Sequence, residues 1–185
     1  MLYIFFGPST SGKTTLLDLA KEQYGSKCIV KKVSTRGARG DNDDIFSCPM
    51  GFANDDYYHY KMYGHDYGFL KSDIKQACLS EEPYFAICSD IKTVREMKRK
   101  YDGRLIVTFF LLDVSKEELR KVQERRGLSE SEIEQRINHV ALINELLLIN
   151  MDLFNDVMIS HHAQNGIARY KKYLNCIIME QCRKY

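Results

Sequence analysis

Leu2-Tyr3-Ile4-Phe5-Phe6-Gly7-Pro8-Ser9-Thr10-Ser11-Gly12-Lys13-Thr14 is the stretch from which the rest of the chain is read. Leu2–Phe6 is a short apolar run and reads as a strand. Gly7 to Thr14 is G-x-x-x-x-G-K-T, a phosphate-binding loop in the strand-to-helix setting that pattern requires. A polyphosphate lies against backbone N–H groups, so side chains must be missing where it comes close, hence Gly7 and Gly12. The helix opening near Lys13 aims its free N–H groups and positive dipole end at the anion. Lys13 adds a point charge toward the β- and γ-phosphates, and the Thr14 hydroxyl is an oxygen ligand for Mg²⁺. Pro8, Ser9, Thr10, Ser11 and Thr15 complete the expected donor-binding set.

Outward from that loop, 185 residues suit one compact domain with a sizeable core. A net charge of +2 argues against a nucleic-acid binder acting by bulk charge. The first apolar run is too short to span a bilayer, and no leader pattern is expected, which points to a cytoplasmic protein without a membrane partner. Cys28, Cys48, Cys78, Cys88, Cys176 and Cys182 form no C-x-x-C pair, so reduced structural thiols are expected rather than zinc.

After the loop, Lys13–Tyr24 reads as a helix with Leu16, Leu17 and Ala20 facing a sheet. Residues 27–33 read as a second strand, and 34–44 as a polar loop carrying Arg36 and Arg39. Residues 45–51 give no clear pattern. Residues 56–63 alternate aromatic and polar side chains, as in a small side sheet, with packing favoured over a stacking platform for Tyr57, Tyr58, His59 and Tyr60. Tyr67-Gly68 is expected in a turn, and 72–79 in a helix capped by Ser72. Residues 84–88 read as a strand, with Asp90 beyond its end and a basic helix after it, whose Lys92, Lys98, Arg99 and Lys100 form a solvated face. Residues 104–112 are the clearest buried strand. Ser115 with Glu118, and Ser129 with Glu132, are capping-box starts for two helices broken at Gly127. Asp156–Ser160 is a last strand, and Ile167, Tyr170, Leu174, Ile177 and Ile178 recur at helical spacing. Strands alternating with helices imply an α/β fold, with a largely parallel sheet covered on both faces and ligands at the carboxyl ends of its strands.

Phosphoryl transfer needs two phosphates held in line and their charge neutralised. Arg36 and Arg39 suit an acceptor phosphate, because guanidinium forks grip phosphate oxygens bidentately. Arg125, Arg126 and Arg136 bracket a break between helices that suits a lid, with Arg125 the one expected to face water. Asp90 suits a role in orienting Mg²⁺ or its water shell, or a helix cap, or both. His65, His161 and His162 read as surface or turn residues, since this chemistry needs no histidine.

In these motifs, taken together, the chain resembles the guanylate kinase family from Leu2 to the closing helix. The motifs are the phosphate loop, Ser34-Thr35-Arg36-x-x-Arg39, Tyr67-Gly68, the strand leading to Asp90, and Arg126-Gly127 with Arg136. The resemblance implies a three-layer α/β/α phosphate-loop fold with a parallel central sheet. Its core would be 1–33 and 80–185, with a small acceptor-binding side subdomain at about 34–79 and a helical lid at about 120–137. It implies that Ser34, Arg36, Arg39, Tyr67 and Asp90 hold the acceptor, that Lys13, Arg126, Arg136 and Asp90 serve catalysis, and that Thr14 meets Mg²⁺. The implied reaction is transfer from ATP to a nucleoside monophosphate, GMP or dGMP first, by a monomer or homodimer. At the places where the family reads guanine, this chain holds Tyr58, Phe69 and Cys88. A hydrophobe after Tyr-Gly also resembles the ribose 1,5-bisphosphate kinases. A non-catalytic guanylate-kinase-like binding module is the remaining reading.

Overall fold

The computed structural model describes residues 1–37, 45–48, 50–52, 54–161 and 166–182. Its centre is strand β1 (Leu2–Phe6), all five side chains of which are fully buried. In an extended chain side chains alternate, so Leu2, Ile4 and Phe6 enter one core and Tyr3 and Phe5 the other. A strand buried on both faces belongs inside a parallel sheet, and β1 pairs in parallel with β6 (Tyr84–Ile87) and β7 (Leu105–Leu112). The register sets Leu2 beside Tyr84 and Leu105. Strand β8 (Asp156–Ser160) extends the sheet from β7, giving the order β6-β1-β7-β8.

Helices cover both faces. Helix α1 (Lys13–Tyr24) puts Leu16, Leu17 and Ala20 into the core of Tyr3 and Phe5, where Tyr170 and Leu174 of α6 (Gly166–Cys182) join them. The opposite core takes Ile74, Ala77 and Cys78 from α2 (Lys71–Leu79), Val94 and Met97 from α3 (Ile91–Lys100), and Ile143 from α5 (Glu130–Ile149). Each fully buried Leu, Ile or Phe contributes about 1.5–3 kcal/mol, so this two-sided burial fixes the sheet that carries the phosphate loop.

A second four-stranded sheet, order β3-β2-β5-β4, stands beside the first. It contains β2 (Lys32–Ser34), β3 (Ile45–Ser47), β4 (Tyr57–Met62) and β5 (His65–Leu70). Met62 pairs with His65 across a two-residue turn, Tyr63-Gly64, with φ of 50° and 76°. Positive φ at both positions is the hairpin geometry that follows the twist of the strands. Helix α4 (Lys116–Glu124) and α5 form a hairpin with its own cluster of Leu119, Ile133, Ile137 and Val140 around Leu112 at the end of β7. Both capping boxes form, at Ser115–Glu118 and Ser129–Glu132. Arg120 ties the two helices together through Glu130 and Glu134.

Several expectations are corrected. Residues 27–33 are not one strand: Ser26–Cys28 is a 3₁₀ turn and Ile29 makes a single bridge to Phe85. The chain then leaves for the side sheet at Lys32, because two successive lysines do not suit an apolar central strand. Tyr67-Gly68 lies inside β5, the turn being Tyr63-Gly64. Gly68 leaves room there for the Phe52 ring, which a Cβ would approach to 2.6 Å. Helix α2 begins at Lys71 after Leu70, with no side-chain cap from Ser72. Lys98 is half-buried and donates to Leu153 O at 2.7 Å and Asn155 Oδ1 at 3.3 Å, so it fastens a loop rather than facing water. In α6, Tyr170 and Leu174 are buried but Ile167 is exposed. The side chains of Ile177, Ile178 and Cys182 lie outside the described residues.

Candidate functional site

The carboxyl ends of β1, β6 and β8 open on a cavity of about 1630 Å³. The phosphate loop forms one wall, and its backbone is shaped as the sequence requires. Gly7 has φ +145°, and a Cβ there would lie 2.6 Å from Phe110 O. Gly12 has φ +91°, and a Cβ there would lie 2.0 Å from the Tyr170 hydroxyl. Thr10 is also left-handed at φ 68°. The Tyr170 hydroxyl donates to Ser11 O at 3.4 Å, and Ser89 Oγ donates to Gly7 O at 3.2 Å, so α6 and the exit of β6 brace the loop from both sides. Ser11 Oγ donates to Pro8 O at 2.9 Å. Lys13 is buried and donates to Pro8 O and to Ser11 Oγ. Thr14 and Thr15, in the first turn of α1, are exposed on the cavity wall.

The α4–α5 hairpin reaches this wall. Arg136 is buried on α5, and its Nη1 donates to Ser9 Oγ at 3.2 Å. Arg126 lines the same cavity. Burial and then the neighbouring Arg136 charge lower its proton affinity from the usual arginine value. Arg125 is exposed and does not line the cavity. The Arg136 guanidinium also lies over the Tyr63 ring at 5.4 Å from its centroid, and His139 packs against that ring at 5.2 Å. The tip of the β4–β5 hairpin thus touches α5.

The side sheet forms the other wall with Lys32, Arg36, Ile45, Tyr60, Met62 and Tyr67. Tyr60 and Tyr67 stack at 5.3 Å with 14° between planes. Ser34 is buried, donates to Asp66 O at 2.8 Å and accepts from Arg36 N at 3.0 Å, so it shapes the bend that presents Arg36. Arg39 lies outside the described residues.

Asp90 stands apart from the cavity lining. It is the N-cap of α3, its Oδ2 accepting from Thr93 N at 2.8 Å. Tyr58, Phe69 and Cys88 are almost fully buried in the core and do not line the cavity. Burial pushes the Cys88 thiol up to about 12, so it is neutral. Sequence reading missed Lys32, Arg169 and Lys172. The last two lie on α6 with Tyr173 and Cys176, and the i, i+3, i+4, i+7 spacing of these four was the available signal.

Among the described residues no group of three or more His, Cys, Asp or Glu side chains could hold a metal ion. A Mg²⁺ ion bound with a polyphosphate keeps waters and takes phosphate oxygens plus one or two protein oxygens. The exposed Thr14 hydroxyl fits that part. Among the described residues no helix is long and apolar enough to cross a membrane.

A parallel sheet, a phosphate loop at its carboxyl edge, a side sheet and an arginine-bearing helical hairpin define a phosphate-loop α/β protein. No protein-family model matches the chain. It is 26% identical over 188 residues to a guanylate kinase of Fusobacterium nucleatum, covering 90% of this chain and 97% of that one. It is 29% identical over 145 residues to a guanylate kinase of Alkalilimnicola ehrlichii, covering 73% and 70%. The guanylate kinase structure from Anaplasma phagocytophilum superposes with a TM-score of 0.61 at 16% identity, over 98% of this chain and 85% of that one. By sequence and by fold the chain is guanylate-kinase-like, and the resemblance its motifs carry is borne out.

Proposed function

We propose that this protein is a kinase that transfers the γ-phosphoryl group of Mg-ATP to the phosphate of a nucleoside monophosphate, with GMP or dGMP the leading acceptor. The observation that carries the reading is the contact from Arg136 on the lid helix to Ser9 of the phosphate loop, at 3.2 Å. It sets a lid arginine beside the loop that would cradle the donor phosphates, in the cavity that Arg36 also lines. The similarity to two guanylate kinases supports the acceptor class.

In this reading residues 7–15 hold the donor and Thr14 contributes a hydroxyl to Mg²⁺. The ion, when bound, neutralises charge on the phosphate oxygens. Lys13, Arg126 and Arg136 stabilise the equatorial oxygens of the transferring group. Ser34, Arg36, Arg39 and Tyr67 orient the acceptor phosphate. Asp90 acts by fixing the start of α3 behind the loop. The side sheet and the hairpin of α4 and α5 are the acceptor subdomain and the lid, at about 34–79 and 120–137, against a core of 1–33 and 80–185.

A coupled ADP-release assay with Mg-ATP tests this against GMP, dGMP, AMP, CMP, UMP, dTMP and ribose 1,5-bisphosphate. Turnover with at least one nucleoside monophosphate is expected. Turnover confined to ribose 1,5-bisphosphate would replace the nucleotide acceptor with a sugar phosphate. No ADP release with any of them would leave a binding module.

A further inference from the structure

Strand β2 leaves its sheet on a side chain rather than on backbone. The ladder between β2 and β5 pairs Val33 with Gly68 and Ser34 with Tyr67. One residue further, Thr35 N donates to Asp66 O at 3.1 Å. In a regular antiparallel pair the opposite residue returns that bond to the backbone carbonyl. Here Asp66 N donates instead to Thr35 Oγ1, at 2.9 Å. A hydroxyl in the place of a carbonyl ends the ladder without orphaning the Asp66 amide, and it lets the backbone turn away. Residues 35 and 36 are the bend that results. Ser34 holds the near side of it. Its carbonyl accepts from Cys48 N at 2.7 Å, and its hydroxyl donates to Asp66 O at 2.8 Å and accepts from Arg36 N at 3.0 Å. Asp66 is anchored in turn, its carboxylate hydrogen-bonded to His59 Nε2 at 2.7 Å and 3.6 Å from Lys61 Nζ, both on β4. Neither Thr35 nor Asp66 lines the cavity, whereas Arg36 does.

We propose that Thr35 is a positioning residue for the acceptor phosphate. Its amide and hydroxyl grip the backbone of Asp66 and set the bend from which Arg36 enters the cavity. It acts through Arg36 and not by contact with the acceptor. The proposal rests on the kinase reading above, and it assigns part of the acceptor affinity to a hydrogen bond made outside the cavity.

The test measures KM for ATP and for the productive acceptor separately. Thr35→Val replaces the hydroxyl with a methyl group and leaves the Asp66 amide without that partner. Misplacing a binding group by about 1 Å can cost about 100-fold. The acceptor KM should therefore rise by at least about 10-fold, while kcat and the ATP KM stay within about 2-fold. Thr35→Ser, which keeps the oxygen, should stay within about 3-fold of the wild type. In an Arg36→Ala background, Thr35→Val should add less than about 2-fold, because residues acting through one contact do not add. An unchanged acceptor KM in folded Thr35→Val overturns the proposal. So do equal rises for ATP and acceptor, a Thr35→Ser variant as impaired as Thr35→Val, or full additivity with Arg36→Ala. If Thr35→Val does not fold, Thr35→Ser and the wild-type chain decide. The wild-type Asp66 amide should exchange its hydrogen at least about 10-fold more slowly than an unbonded amide, and exchange at the free rate overturns the proposal. Calorimetry with GMP and with ribose 1,5-bisphosphate, without ATP, separates this proposal from the kinase reading. Binding weakened at least about 10-fold by Thr35→Val and by Arg36→Ala alike, with no ADP release, keeps Thr35 as the positioning residue of a phosphate site and removes the kinase. Turnover in which Arg36→Ala leaves the acceptor KM unchanged keeps the kinase and removes this proposal. Neither binding nor turnover removes both.

Discussion

At the scale of single residues, the phosphate loop is where local sequence and local structure agree most closely. Its rules act within thirteen contiguous residues, so no distant packing has to be known. On the proposed function Lys13→Ala should cut kcat by at least about 100-fold while the chain stays folded, because α1 is held by Leu16, Leu17 and Ala20, with a lower thermal midpoint from the lost hydrogen bonds to Pro8 O and Ser11 Oγ. A stopped-time ADP assay with a melting curve checks both halves. Gly12 carries a constraint from outside the motif. Gly12→Ala brings a Cβ against the Tyr170 hydroxyl at a left-handed backbone position, a cost of about 2–3 kcal/mol from overpacking and strain. Urea denaturation should show that loss, and Tyr170→Phe in the same background should recover part of it. Lys32 was not legible, because its surroundings are assembled from Ile87 and Tyr67, 55 and 35 positions further along the chain. Nor were Tyr58, Phe69 and Cys88, which occupy the aligned places for base reading yet point into the core.

At the scale of elements, helices with explicit start signals were read to within a residue or two. Both capping boxes and the central strands fall where the pattern predicts, since caps and apolar runs are local codes. The failures are strands whose partners are remote. Residues 27–33 looked continuous, but pairing with β6 stops at Ile29 and Val30 and resumes in another sheet. Tyr67-Gly68 looked like a turn because glycine usually marks one, whereas here it makes room for Phe52. The α4–α5 hairpin holds one conspicuous liability. Gln123 on α4 is fully buried, and among the described residues neither its amide nitrogen nor its oxygen has a hydrogen-bond partner. Unmade hydrogen bonds on a buried amide cost about 1–3 kcal/mol. Gln123→Met should therefore raise the thermal midpoint, and a lowered midpoint would show that the amide is satisfied in solution.

At the scale of the whole molecule, stability on the acid side should follow His139. Burial holds its imidazole below the ordinary value of 6.5. The unfolded chain takes up that proton first as pH falls, so stability present above about 6.5 is lost between there and the lower folded value. The wild-type midpoint should drop between pH 7.5 and 5.5, and His139→Gln should flatten the drop. Asp66, held below the usual carboxylate range chiefly by its hydrogen bond to His59, acts in the same direction but only below its unfolded value of 3.8. The two contributions separate on the pH axis.

Tyr63 leans on His139 and Arg136 from the tip of the β4–β5 hairpin, while Arg136 donates to Ser9 of the phosphate loop. Through Arg136, one aromatic ring on the β4–β5 hairpin is therefore linked to Ser9 of the phosphate loop. In the proposed kinase, donor and acceptor should be thermodynamically linked, each changing the other's affinity by the same factor, because linkage is reciprocal. A factor of about 5–10 is the expected order for such a coupling. Titrating the acceptor with and without a non-transferable donor analogue measures it. Tyr63→Phe, which keeps the ring, should preserve the factor, and Tyr63→Ala should bring it close to one, leaving a protein that binds each ligand as though the other were absent.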